Sequence, residues 1–427
     1  MINNDYKYFV KLFYYPLALL PFFLITGPFL SDLVITLSGL GFLLINLKNK
    51  NYFFFNNFFF KYFLLFYLLI SFSYFFYEES NISYLVKPLT MIRFVFFTLA
   101  MGFIINHKKS FIDLFFKVII FCLMILFIDS IIQSIFGKNI FNFEISKTGR
   151  VSSFFQDELI MGSYISRIYP ILIAIIFYKN YMNKNLLTVF SFITCTILIL
   201  LSGERTALIL FLIFTILFIL FSSDFIQRKF LFLSSIFIII FTLIFLNASL
   251  KTRFVDNVIF FLKGENSDKK IKIISDEHQG IYYSAYKIFV KNPVIGTGVN
   301  SFKIKCKDVI YKDNDKYFTT FKCSSHPHNI YLQLLSETGI VPFLMIFSIF
   351  FYFSIKFLKI LLKKIKIQNY NISLYSSFIL TLFPLAPSGN MFNNWLSIFF
   401  FLPAAFYFGL NKKFYKNNIK IYNEKSI

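Results

Sequence analysis

Two of the chain's four histidines fall in one polar stretch, Ser324-Ser325-His326-Pro327-His328-Asn329, with a long apolar run on its C-terminal side. Imidazole titrates near neutrality, so a histidine at the mouth of a hydrophobic segment is a candidate general base. Ser325 and Pro327 suit the cap and first turn of a helix, and Ile330, Tyr331, Leu334 and Leu335 recur as one apolar face. His328 then stands at the helix start, where the positive end of the dipole disfavours imidazolium and keeps the ring able to accept a proton. Asn329 is placed to orient a substrate or the ring, and His326, two positions before His328, cannot share a helix face with it. The bland alternative is a histidine that only finishes a helix end.

Guanidinium groups offer a second chemistry. Arg205 lies between two apolar runs in Ser-Gly-Glu-Arg-Thr-Ala. An ionisable group central in a membrane costs ~2.5 to 3.5 kcal/mol, which argues for a use. The planar fork donates paired hydrogen bonds, so Arg205, and with it Arg150 and Arg167, suits a phosphate or diphosphate. Pairing of Arg205 with Glu204 or its snorkelling to the interface, and mutual pairing of Arg150, Asp157, Glu158 and Arg167, are the structural alternatives. Glu337 could pair with any of these arginines and is given no catalytic role.

Of the four cysteines, Cys122 and Cys195 fall in apolar runs and read as small core residues. Cys306 and Cys323 precede the histidines in a long connection; if that connection faces an oxidising compartment, a disulfide between them is favoured. A Cys₂His₂ zinc set of Cys306, Cys323, His326 and His328 stays open, although the cysteine spacing departs from usual zinc patterns.

The elements that must position these residues are membrane helices. The chain has 427 residues, is 57% hydrophobic and contains 66 Phe, far more apolar surface than a soluble fold of this length carries. An all-α integral membrane protein follows, with about twelve spans at 13–30, 31–47, 60–77, 88–106, 111–136, 160–178, 186–202, 206–222, 229–247, 340–358, 372–388 and 391–410. The first run is too long for a cleaved signal and lacks a small-residue cleavage site, so it is expected to stay. A net charge of +22 would suggest nucleic acid in a soluble protein, but here the lysines sit in short connections and report topology. Nothing resembles a basic groove interleaved with base-stacking aromatics, so no nucleic-acid partner is expected.

Alternate connections carry Lys48 and Lys50, Lys108 and Lys109, Lys179 and Lys184, Arg228 and Lys229, and Lys359, Lys363, Lys364 and Lys366; both ends of the sequence are basic too, the last through Lys412, Lys413, Lys416 and Lys420. These belong inside. The Glu78-Glu79 segment, residues 137–159, the Ser202–Arg205 turn and one long loop, 248–339, then face outward. Three regions result: spans over 1–247, the loop with its catalytic segment over 248–339, and spans with a cytoplasmic tail over 340–427. Within the loop, Ile281, Tyr282, Ala285, Ile288 and Phe289 predict a helix lying on the membrane surface, ended by Asn292-Pro293.

Together these residues resemble the O-antigen ligase and O-antigen polymerase superfamily of bacterial membrane glycosyltransferases. His328-Asn329 with Leu332, Glu337 and Gly339 resembles the family's His-Asn signature at the end of its large periplasmic loop. Asn292-Pro293-Val294-Ile295-Gly296-Thr297-Gly298 resembles the turn upstream of it, and Ser202–Ala207 the Arg-bearing segment between two spans. One departure is His278, which stands about where many members place a loop arginine; Arg253 is a candidate replacement for that charge. The resemblance implies the architecture of lipid-donor glycosyltransferases that need no metal or other cofactor, in the bacterial inner membrane with the large loop in the periplasm. It implies transfer of a glycan from undecaprenyl diphosphate to a hydroxyl of a lipid A core (ligase) or of another lipid-linked glycan (polymerase), with His328 as base and the arginines on the diphosphate. A flippase or transporter of the same lipid-linked glycan is the alternative from another class.

Overall fold

The computed structural model describes residues 4–77, 81–222, 229–246, 248–259, 276–312, 323–363 and 365–411. The chain begins with α1 (Asn4–Ala18), α2 (Leu20–Thr26), α3 (Pro28–Lys48), α4 (Phe58–Phe72), α5 (Ser83–Met91), α6 (Arg93–His107) and α7 (Lys109–Phe136). There follow α8 (Met161–Lys179), α9 (Lys184–Ser202), α10 (Arg205–Phe221), α11 (Lys229–Leu246) and the short α12 (Ala248–Lys251), which passes into a π-helical turn, Thr252–Asp256. The loop helices are α13 (Asp276–Lys291), α14 (Phe302–Lys312) and α15 (Ile330–Thr338); the chain closes with α16 (Ile340–Lys363), α17 (Asn369–Thr381) and α18 (Asn394–Leu410).

Every one of the twelve expected apolar stretches carries helix, but the lengths differ from expectation. Among the described residues seven helices are long and apolar enough to cross a membrane, or eight if the α1–α2 pair, bent by 46°, counts as one. The first run starts well before residue 13 and is broken at Leu19 and Gly27, each break followed within two residues by a proline that has no N–H to donate back into a helix. The helix expected over 372–388 stops at Thr381, with Pro384 and Pro387 in the connection that follows. The Glu78-Glu79 segment, Arg228, Lys364 and the basic tail lie outside the described residues.

Burial ranks the helices. Between Ser83 and His107 and along α8, 72% and 78% of the apolar window is enclosed by protein, against 22% for α16. α6 packs on α3 and α18, and α8 on α9 and α17. Ser373 Oγ bonds Pro170 O at 2.5 Å, and the Tyr178 and Tyr370 rings lie 5.2 Å apart, so α8 and α17 run antiparallel. The Phe353–Phe378 stack and the Phe357–Tyr375 contact set α16 antiparallel to α17. The starts of α8 and α16 therefore share one end of the bundle. The lysine-bearing connections gather at the other, where Lys48 pairs with Asp5 at 3.0 Å and Lys179 with Asp113 at 2.7 Å.

α13 forms where a loop helix is expected, and its apolar face packs on protein. Its Ile281, Ala285 and Ile288 are buried with Phe302 and Cys306 of α14 in a small core of their own. The apolar face is used against protein, because a second amphipathic helix lies close enough to cover it.

Candidate functional site

Of the chain's 43 basic residues only six are arginine: Arg93, Arg150, Arg167, Arg205, Arg228 and Arg253. Four of them gather where α9 turns into α10. The turn is made by Gly203 at φ 63°, and a Cβ there would lie 2.6 Å from Arg253 Nε and 3.0 Å from Arg150 Cγ. Glycine therefore supplies both the left-handed backbone and the room for two guanidinium stems. Arg253 Nε donates to Gly203 O at 2.6 Å, and Arg205 donates through Nε and Nη2 to Arg253 O at 3.2 and 2.8 Å. Arg150 donates to Ser202 O and to Leu159 O, both at 2.9 Å. Arg167, one turn into α8, donates to Ser163 O at 3.1 Å, while its buried Nε has no hydrogen-bond partner.

Glu204 is the one carboxylate bonded into this cluster among the described residues. It does not pair with Arg205. Its oxygens accept from Gly162 N at 2.7 Å and from Ser163 N and Oγ at 3.2 and 2.7 Å, so it caps α8; Arg150 Nη2 is 3.9 Å away. Burial raises its pKa, opposed by Ser163 and Arg150. The alternative in which Asp157 and Glu158 neutralise Arg150 and Arg167 is not what forms: among the described residues neither carboxylate makes an ion pair with them. Four guanidiniums facing one carboxylate leave a net positive site whose donors are tied mainly to backbone carbonyls. Burial, then Arg150 and Arg205, lowers the pKa of Arg253, opposed by Glu204.

The histidine segment differs in detail from expectation. The helix is capped by Asn329, whose Oδ1 accepts from Tyr331 N and Leu332 N at 3.0 and 3.1 Å, so Ser325 and Pro327 lie outside it. Asn329 Nδ2 donates to Pro384 O at 2.7 Å, which commits both ends of that amide to holding the segment. His328 precedes the cap at φ 55°, a left-handed conformation that costs about 1–2 kcal/mol in a non-glycine residue. Ser388 N donates to His328 O at 2.8 Å and helps to hold it there. Strained backbone of this kind concentrates at functional sites.

Out of the helix, the two histidines do meet. The His326 and His328 rings are 4.2 Å apart, and His278 of α13 lies 5.6 Å from His328. His328 Nε2 and Ser324 Oγ share a hydrogen bond at 2.8 Å. Burial, then His326 and His278, pulls the His328 pKa down to about 4. The ring is neutral at pH 7 for that reason more than through the helix dipole.

Behind the histidines, Cys306 and Cys323 are joined, with Cα atoms 5.9 Å apart, so their sulfurs bond each other rather than standing with His326 and His328 as a zinc set. Among the described residues Glu337 meets no arginine. It accepts from Gln333 Nε2 at 3.0 Å and from Phe302 N at 3.2 Å, capping α14, and full burial raises its pKa to about 7. The Gly296–Gly298 turn lies directly on it: Gly298 N donates to Glu337 O at 2.8 Å, and a Cβ on Gly296 would sit 2.4 Å from the Glu337 backbone.

A helical membrane protein with an arginine cluster and a histidine cluster at the same end of the bundle is thereby defined. Residues 190–347 match the family model of the O-Antigen ligase, which bears out the resemblance to the O-antigen ligase and polymerase superfamily. The match runs from within α9 into α16 and takes in Arg205, Arg253 and the histidine segment, while Arg150 and Arg167 lie before it. No curated protein matches the chain. The match supports a role in polysaccharide assembly. Arg253, weighed in the sequence only as a substitute charge, joins the cluster through its backbone carbonyl as well as its side chain, which no spacing pattern announces.

Proposed function

We propose that the protein is a metal-independent glycosyltransferase of the inner membrane that moves a glycan from undecaprenyl diphosphate to an acceptor hydroxyl. The bundle end bearing both clusters, with the 248–339 loop, faces the periplasm, and the chain crosses the membrane about twelve times. The acceptor oxygen forms a bond to the anomeric carbon as the bond from that carbon to the diphosphate breaks. The electron pair leaves with undecaprenyl diphosphate. The acceptor proton goes to His328: with Nε2–H donating to Ser324 Oγ, Nδ1 keeps its lone pair for it. Arg205, Arg253, Arg150 and Arg167 hold the diphosphate and the charge it gains, and need no metal because three net positive charges are already placed. His326 and His278 line the base, and Asn329 fixes its position.

The observation that supports this reading is that a neutral histidine with left-handed backbone and a guanidinium cluster short of counter-charge lie at one end of the bundle. Purified protein given undecaprenyl-diphosphate glycan and acceptor, with no ion gradient, is expected to form a glycosidic product. Vectorial movement of the lipid with no new glycosidic bond would instead make it a transporter. Gene deletion separates the two transferase forms: unattached polymer indicates a ligase, single repeat units on the core a polymerase.

A further inference from the structure

The fifth arginine stands apart from the other four. Arg93 starts α6, inside a helix long and apolar enough to cross a membrane, and Lys87 lies on α5 within the same span. Two cations in such a span are costly and call for a partner. Asp32 of α3 is the only carboxylate bonded there among the described residues, at 2.6 Å from Arg93 Nη2. Asn394 bridges: its Oδ1 accepts from Lys87 Nζ at 3.2 Å and its Nδ2 donates to Asp32 Oδ2 at 3.3 Å. The set has a surplus of one positive charge, and Arg93 Nε is buried with no hydrogen-bond partner.

This pair is built into the catalytic end. The connection between α17 and α18 bonds His328 O through Ser388 N and Gln333 through Asn390 and Met391, then delivers Asn394 to Lys87. One turn before Lys87, Tyr84 lies under Gly298, where a Cβ would be 2.6 Å from its ring. The Arg205 cluster belongs to α8, α10 and the π-helical turn, so the two cationic groups are held by different helices.

We infer that Lys87 and Arg93, set by Asp32 and Asn394, form a second anion site that binds the phosphate or diphosphate group of the acceptor lipid. This rests on the transferase reading above and deepens it: joining two lipid-borne glycans brings two anionic headgroups to one membrane face. Arg93 is bound to one carboxylate and Lys87 to a neutral amide, so the two together keep charge and donors of the kind that a phosphate oxygen takes.

The test titrates the intact protein in nanodiscs with undecaprenyl diphosphate, with lipid A, and with neutral undecaprenol, counting bound lipid by native mass spectrometry. Two anionic lipids per wild-type chain are expected, and no response to undecaprenol. Lys87→Met should weaken one of the two by about tenfold, the scale of one charge-assisted bond, and leave the other intact. Asp32→Asn should tighten that same site, so the inference stays exposed even if Lys87→Met folds poorly. Arg205→Lys should weaken only the other. A second undecaprenyl diphosphate in the Lys87 site marks a lipid-linked glycan as acceptor; lipid A there marks a phosphorylated glycolipid. One bound anionic lipid per wild-type chain, or a second that ignores both Lys87→Met and Asp32→Asn, overturns the inference while leaving the transferase reading standing. No anionic lipid bound at all overturns both.

Discussion

Reducing the Cys306–Cys323 bond should loosen the histidine segment without unfolding the bundle. The bond closes a sequence separation of 17 residues. In the chain-entropy treatment a loop of that size is worth about 3 kcal/mol. Cys306 is 1% exposed and packs on Ile281, Ala285 and Ile288 of α13, which also carries His278, so the stabilisation is spent locally on the α13–α14–α15 unit. At about 1.4 kcal/mol per factor of ten, opening of that unit becomes roughly a hundredfold more frequent. Intact mass should rise by two hydrogen atoms on reduction. Amide exchange should then accelerate by about that factor in α13, α14 and the segment around His328, with α6 and α8 unchanged. Free thiols at both cysteines before reduction, or bound zinc, refutes the bond; unchanged exchange after reduction refutes its role in holding the site.

Arg205→Lys keeps the charge but loses the paired donors, and transfer should fall at least tenfold at matched membrane levels. Gly203→Ala should do comparable damage through crowding, because φ is 63° and the new methyl meets Arg253 Nε and Arg150 Cγ; near-normal activity of both variants would remove the arginine cluster from the mechanism. His328 is depressed to about 4, so its base form is present above that value and lost below it: the rate should be flat in His328 titration from pH 6 to 8 and fall as pH drops towards 4. The neutral ring's contribution to stability has the same sign, present above its unfolded pKa near 6.5 and lost as pH falls through the folded one. For topology, Gln279→Cys should label from outside intact cells and Lys359→Cys should not; the reverse pattern would invert the bundle.

Membrane class and helix positions were legible because long runs of Phe, Ile and Leu leave little alternative, and the ends of those runs were not, because breaks at Gly27 and after Thr381 depend on single residues within apolar stretches. The Arg-bearing turn could be read from Ser-Gly-Glu-Arg, yet Glu204 next to Arg205 invited the wrong pairing: α8 offers two backbone donors and a hydroxyl, which outbid the neighbouring charge. Asn329 is a good N-cap residue, whereas a helix start at Ser325 and Pro327 puts His328 inside the helix and keeps the two histidines apart. His278 meeting His328 was beyond reach, since the fold of α13 onto α15 brings together rings 50 positions apart. Arg93 stands in the 88–106 run but its partner Asp32 is 61 positions away, and Lys87, just before it, is tied in only through Asn394.

The central claim is that His328 takes the acceptor proton in a glycosyl transfer. Purified wild-type protein and His328→Ala, matched for insertion and folding, should be compared for product formed from undecaprenyl-diphosphate glycan and acceptor without a gradient. His328 contributes its ring more than its packing, so the variant should stay folded and lose ~10² to 10⁴ in rate, while His326→Ala loses less. Near-normal product formation by His328→Ala would contradict the account and leave His328 as a residue that only shapes a helix end.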